Sequence, residues 1–263
     1  MSTSSTHPTK QEQLAAMREF SNNTNARLPV LFLLDASSSM NGIVRGDNQH
    51  IVRQESSDGI NWNIVTGDNF VTRMNELNTG LQQFICDILA DPMAKLAADV
   101  SIMAFARTVT TVKEFGPIRE ADSELKIATS QENETLLGEA VELALFELDN
   151  RKAIYQQHGV EYYQPWLVVM TDGIPTSTRH RELTARMKEL ATARKLSMFV
   201  FGIGNADISE LSYISSTRPP MQINEQKFTE LFAWLSRSVR MVSMSMPGDG
   251  VSLTPLPDDV WQV

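Results

Sequence analysis

Apolar and polar positions follow two periods along this chain, and their alternation predicts most of its elements. Continuous apolar runs stand at residues 30–34 (VLFLL), 99–106 (DVSIMAFA), 166–170 (WLVVM) and 197–203 (SMFVFGI), with a shorter one at 221–223. Each is too short for a typical helix and carries little polar character, the pattern of a strand buried on both faces. Between the runs the period lengthens. Phe70, Met74, Leu77, Leu81, Phe84, Ile85 and Ile88 recur every three or four residues and predict a helix over 68–89, with Asp68 near its N-cap and Pro92 helping to end it. Leu136, Ala140, Leu143, Ala144 and Leu148 mark a helix over 136–151, and Leu183, Met187 and Leu190 one over 179–195. A short helix is expected over 207–215, and Phe228, Leu231, Phe232, Leu235, Val239 and Val242 give the last. Residues 110–115 follow the run at 99–106 too closely for a crossover helix, so these two segments pair antiparallel and the second lies at a sheet edge. The expected fold class is therefore α/β: a doubly wound, mostly parallel six-stranded sheet with one antiparallel edge strand and helices on both faces.

Three stretches depart from this pattern. Residues 1–27 are mostly polar and read as a flexible N-terminal segment, with at most a turn or two of helix over 11–20. Residues 42–68 are polar and contain the turn dipeptides Gly46-Asp47, Asp58-Gly59 and Gly67-Asp68, and β-like runs at 51–53 and 62–66 predict a two-stranded excursion. It reads equally as a lid, a partner-binding surface or decoration. From Pro247 the chain has no period, and Leu253, Leu256 and Trp261 are the candidates to dock an extended tail. The expected organisation is a flexible segment 1–27, one domain over 28–245 with an insertion at about 42–68, and a tail over 246–263.

Charge and composition narrow the function. With 23 basic against 32 acidic side chains the net charge is −9, a field that disfavours nucleic acid or an anionic membrane as the main partner. No stretch approaches the roughly 18 apolar residues of a membrane span, and no apolar leader opens the chain, so a cytoplasmic location is expected. Cys86 is the single cysteine, which leaves no intrachain disulfide or cysteine-based zinc site; it is expected to be packed and inert. His7, His50, His158 and His180 have no zinc-binding spacing and are expected at the surface. The basic residues of 179–195 read as a solvated helix face.

The candidate chemistry lies where strands end in acids. The first strand runs into Asp35-Ala-Ser37-Ser-Ser39, and a tight turn there can aim three oxygens at one point. Hard oxygens without nitrogen or sulfur suit Mg²⁺, Mn²⁺ or Ca²⁺. Taken alone, the motif is also an ordinary cap or turn. A second apolar run ends in Thr171-Asp172-Gly173. In a sheet of order 3-2-1-4-5-6 the first and fourth strands are neighbours at the topological switch point, which brings Asp35 beside Asp172. Thr135, at the entrance of the helix leading to that fourth strand, reaches the same crevice. Two acids there repel one another and are costly to ionise, a cost that a divalent cation answers.

Asp35-Ala-Ser37-Ser-Ser39, Thr135 and Thr171-Asp172-Gly173 together resemble the metal-ion-dependent adhesion site of a von Willebrand factor type A domain. The resemblance implies that Ser37, Ser39 and Thr135 coordinate the ion directly or in alternation, and that Asp35 and Asp172 ligate it or hold its waters. It also implies Mg²⁺ (or Mn²⁺ or Ca²⁺) as cofactor, a partner carboxylate at the remaining position, and a protein-interaction module without catalysis. The segments RLPVLFLLDASSSMNG, VVMTDGIPTS, VFGIGNADISELSYIS and FTELFAWLSRSV resemble the bacterial TerY-like branch associated with tellurium-resistance and stress gene clusters. That branch implies a scaffold or adaptor in stress or phospho-signalling, with a kinase or phosphatase encoded nearby as candidate partner. Two departures stand out. Glu132-Asn133-Glu134 precedes Thr135 where the family often has glycines, and the 42–68 excursion is longer than the usual passage to the first helix. The enzyme alternative is a Mg²⁺-dependent phosphatase or hydrolase using Asp35 as nucleophile. A haloacid-dehalogenase-type site, however, would want an acid where Ser37 stands, and the chain has no GxSxG elbow, Walker A sequence or GxGxxG after the first strand.

Overall fold

The computed structural model describes residues 20–21, 23–57, 60–215, 217–258 and 260. Expectations for the first 19 residues, His7 included, and for Trp261 lie outside these. The central strand, β1 (Leu28–Asp35), is buried at every position. Its side chains alternate between two cores: Leu28, Val30, Phe32 and Leu34 face one, Leu31 and Leu33 the other, as the period of two requires.

From β1 the chain enters an antiparallel ribbon, β2 (Ile43–Ser57) and β3 (Ile60–Thr72), which forms its own two-stranded sheet. There follow α1 (Arg73–Ala90), α2 (Pro92–Ala97), β4 (Ala98–Phe105) and β5 (Val109–Pro117). Next come α3 (Leu137–His158), β6 (Trp166–Thr171), α4 (Arg179–Glu182), α5 (Thr184–Thr192) and β7 (Ser197–Ile203). The last elements are α6 (Ile208–Leu211), β8 (Met221–Ile223) and α7 (Phe228–Ser243). The main sheet has the order β5-β4-β1-β6-β7-β8, and only the β4–β5 pairing is antiparallel. Without the ribbon this is the 3-2-1-4-5-6 order supposed above.

Helices α1 and α7 cover the Phe32 face. Phe32 meets Phe84 with ring centroids 5.0 Å apart and Phe232 at 5.7 Å. Helix α3 covers the opposite face through Leu137, Ala140, Val141, Ala144, Leu145 and Leu148. Among the described residues no helix is long and apolar enough to cross a membrane.

Several boundaries differ from the sequence reading. The helix expected from Asp68 starts at Arg73, because residues up to Thr72 stay paired in the ribbon and Thr72 forms the capping box with Asn75. Pro92 opens α2 rather than only ending α1, with Asp91 Oδ1 accepting from the amides of Met93 and Ala94. The helix over 136–151 runs to His158, and the one over 179–195 is two short helices divided at Leu183. Cys86 is exposed: Phe84 and Ile85 take the core-facing positions of α1, and the helical period turns Cys86 outward. At the N-terminal side, Phe20 is buried against Tyr155, and Arg27 is 1% exposed. The tail docks on the domain through Leu256 and Val260, with Leu253 partly covered, and Trp234 Nε1 donates to the Thr254 carbonyl at 2.7 Å.

At Gly80 α1 packs directly against α7. A Cβ there would lie 2.5 Å from Phe232 Cδ2 and 2.9 Å from the Phe228 carbonyl oxygen. Gly80→Ala should therefore destabilise the protein by about 1–3 kcal/mol through overpacking, despite alanine's better helix propensity. Urea unfolding checks this, and a midpoint equal to or above wild type would contradict it.

Candidate functional site

At its carboxyl end β1 delivers Asp35, which is fully buried. The alternation that turns Leu31 and Leu33 toward α3 also turns Asp35 toward that face. The loop then folds back on the carboxylate, with the Ser37 amide donating to Asp35 Oδ1 at 2.8 Å, an Asx-type turn that presents the following serines. Ser37 Oγ lies 2.9 Å from Ser39 Oγ, and Ser39 Oγ donates to Asp172 Oδ1 at 2.6 Å. Thr171 ends β6, next to β1 in the parallel register, and its hydroxyl donates to Asp35 Oδ2.

Thr135 is held by a reciprocal pair of hydrogen bonds. Its amide donates to Thr176 Oγ1, and its carbonyl accepts from the Thr176 amide, each at 3.1 Å. A Cβ on Gly173 would lie 2.9 Å from Thr135 Oγ1 and 3.5 Å from Asp35 Oδ2, so these oxygens border the same small volume. The structure thus brings all five sequence-predicted residues, Asp35, Ser37, Ser39, Thr135 and Asp172, into one crevice at the switch between β1 and β6.

Burial pushes the carboxyl of Asp35 up to about 7, and the charge of Asp172 adds to the rise; hydrogen bonds from Thr171 and Ser37 partly offset it. Asp172 is likewise raised by burial, against the opposing effects of Ser39 and Arg73. Among the described residues no group of three or more His, Cys, Asp or Glu side chains gathers in metal-binding geometry. The crevice instead offers two carboxylates and three hydroxyls, an all-oxygen set short of positive charge. Its chemistry fits a hard divalent cation better than one requiring sulfur or nitrogen.

Three further residues shape the crevice. Thr171 was visible as part of the acid-bearing triplet, but its bond to Asp35 follows only from strand register. Arg73 donates from Nη1 to Asp172 Oδ2 at 3.0 Å and from Nε to Glu225 Oε2 at 2.7 Å. No sequence signal marks either partner of that ion pair, since nothing in the polar excursion shows where α1 begins. His180, expected at the surface, is 1% exposed. Its Nε2 lies 2.8 Å from Glu210 Oε2 and its Nδ1 2.9 Å from the Ser177 carbonyl, which anchors the loop that follows Asp172.

A family model described as the von Willebrand factor type A domain matches residues 30–234. No curated protein matches the sequence. Among solved structures, the conserved hypothetical protein BatB from Bacteroides thetaiotaomicron is similar with a TM-score of 0.52 at 14% identity, over 83% of this chain and 100% of that one. The vWF domain of the type V pili tip protein Mfa5 from Porphyromonas gingivalis has a TM-score of 0.52 at 8% identity, over 86% and 99% of the two chains. Proximal thread matrix protein 1 from the mussel byssus, in a structure with a zinc-occupied MIDAS motif, has a TM-score of 0.48 at 18% identity, over 84% of this chain and 46% of that chain. The present chain spans about half the length of that mussel protein. At such identities the likeness is one of fold.

The raised carboxyl carries a pH dependence. Because the folded value of Asp35, about 7, lies above its ordinary 3.8, proton binding favours the folded state. That contribution is complete below about pH 4 and is lost as pH rises through about 7. Melting temperatures in EDTA should therefore fall more steeply between these limits for wild type than for Asp35→Asn, which carries no charge. Parallel profiles for the two proteins would contradict the assignment.

Proposed function

The chain belongs to the von Willebrand factor type A domain family, matched over residues 30–234, and from that premise we propose that it binds a protein partner through a divalent cation held in the Asp35 crevice, without a catalytic step of its own. Domains of this family commonly mediate metal-dependent protein interactions. In this reading the hydroxyls of Ser37, Ser39 and Thr135 are direct ligands, and Asp35 and Asp172 ligate the ion or hold its waters. When bound, Mg²⁺, or Mn²⁺ or Ca²⁺ in its place, supplies a Lewis-acidic position that accepts an anionic oxygen of the partner. The protein's part is positional: Thr171 and the Ser37 amide orient Asp35, and Ser39 orients Asp172.

The observation that carries this reading is the convergence of five oxygen-bearing residues from three separate segments beside Gly173 and Asp35. The nucleophile alternative is not favoured. A haloacid-dehalogenase-type site would want a second acid two residues after Asp35, where this chain has Ser37. We further assign the chain to the TerY-like branch on the strength of its sequence segments. That assignment makes it a cytoplasmic scaffold or adaptor in bacterial stress or phospho-signalling, with a kinase or phosphatase encoded nearby as partner.

Calorimetric titration with MgCl₂ should show binding by wild type and none by Asp35→Ala. Proteins that co-purify with the wild type in Mg²⁺ should be lost both in EDTA and with Asp35→Ala. Retention under both conditions would sink ion-mediated recognition. Hydrolysis of p-nitrophenyl phosphate with Mg²⁺, if abolished by Asp35→Asn, would instead favour the enzyme.

A further inference from the structure

The proposed metal crevice already borders a cation of the chain's own. Arg73 is the first residue of α1, and its guanidinium borders the crevice at Asp172 and the Ser39 carbonyl. Nη1 donates to Asp172 Oδ2 at 3.0 Å and to the Ser39 carbonyl at 3.3 Å, while Nε donates to Glu225 Oε2 at 2.7 Å. Its backbone amide donates to the Gly42 carbonyl at 2.9 Å, so the same residue closes the base of the β2–β3 ribbon against the serine loop. The slot is shaped around the guanidinium. A Cβ on Gly42 would lie 2.7 Å from Nη1, and one on Gly204 would lie 3.3 Å from Nη2 and 2.9 Å from Glu225 Oε2. The side chain is only 21% exposed, and Glu225 together with Asp172 keeps it charged against that burial.

The two oxygens of Asp172 are thereby divided. One accepts from Ser39 and the other from Arg73. A divalent cation and a guanidinium that share one carboxylate repel each other, and the partly buried setting weakens the screening between them. Arg73 also helps to orient Asp172, which by itself would favour the metal. Ser39 supplies a second and shorter hydrogen bond to the same carboxylate, so orientation survives without Arg73 while the repulsion does not. Repulsion is therefore the larger effect. Glu225 works in the opposite sense, since its charge offsets part of the guanidinium's.

We propose that Arg73 sets the affinity of the crevice for its divalent cation, by holding one oxygen of Asp172 and keeping a fixed positive charge beside it, with Glu225 moderating that charge. This inference rests on the metal-binding reading of the crevice. Its signature is that two partners of one ion pair act in opposite directions, whereas a merely structural pair would weaken the site whichever partner were removed.

Calorimetric titration of MgCl₂ into the full chain at fixed ionic strength tests it. Arg73→Gln should bind Mg²⁺ about tenfold more tightly than wild type or better, Glu225→Gln several-fold more weakly, and the charge-conserving Arg73→Lys within about threefold of wild type. Melting in EDTA identifies any variant that fails to fold. If Arg73→Gln does not fold, Glu225→Gln and Arg73→Lys carry the test together: tighter or unchanged Mg²⁺ binding by Glu225→Gln, or a loss beyond about threefold in the charge-conserving Arg73→Lys, overturns the proposal. Unchanged or weaker binding by a folded Arg73→Gln overturns it too, provided that wild type binds and Asp35→Ala does not. Absence of Mg²⁺ binding in wild type, or equal binding by Asp35→Ala, instead overturns the metal reading itself and removes the basis for a role of Arg73.

Discussion

Holding two carboxylates in one low-dielectric crevice costs free energy, and much of the upper edge of the sheet is arranged around that cost. The parallel order places β1 and β6 side by side, so their terminal acids meet whether or not their charges favour it. The hydroxyls of Ser39 and Thr171 and the amide of Ser37 satisfy the carboxylate oxygens, but hydrogen bonds spread charge without cancelling it. Asp35 therefore remains displaced toward its protonated form. Arg73 offsets part of the charge on Asp172, and the remainder is what the proposed cation would neutralise.

The opposite end of the sheet treats a buried carboxylate differently. Asp99, near the start of β4, is fully buried, and its Oδ2 accepts from Arg151 Nε at 2.7 Å and from the Tyr155 hydroxyl. Phe20 closes over the Arg151 guanidinium at 5.3 Å. There the counter-charge is a side chain of α3, in a buried pair whose hydrogen bonds all fall on Oδ2 and leave Asp99 Oδ1 without a partner. Asp35 has no such basic side chain bonded to it, and Asp172 shares Arg73 with Glu225. At one end of the domain the buried carboxylate is thus bonded to a basic side chain of its own, whereas among the described residues Asp35 is not.

The ribbon carries this edge outward. Its base is stitched to the crevice by the Gly42–Arg73 hydrogen bond and by the pairing of Arg45 with Glu76, so the serine loop, the ribbon and α1 share one junction. Ile51 and Val52 on β2 remain 58% and 60% exposed. A two-stranded ribbon of this length has little core of its own, and Arg73, the Arg45–Glu76 pair and the bond from Gln226 Nε2 to the Val44 carbonyl join its base to the packed domain.

The strands of the main sheet and the acids and hydroxyls at their ends were legible from the sequence because burial imposes a period, whereas the strand order was a supposition that the structure bears out. A strand covered on both faces must be apolar throughout, and an acid at its end is conspicuous. Where no core enforces a period, legibility failed. The ribbon strands were seen only as the fragments 51–53 and 62–66, and the start of α1 was misplaced by their polar continuation to Thr72. By itself, then, the sequence determined the sheet, its two helical faces and the acids and hydroxyls delivered to the switch point, since these follow from local periodicity and chain order. Only the tertiary structure decided that Arg73 reaches Asp172, that Thr171 reaches Asp35, that His180 is buried on Glu210 and that Cys86 faces outward. Each of these depends on helix phase, register or a through-space partner far away in the chain, and no local pattern of residues encodes such a distance.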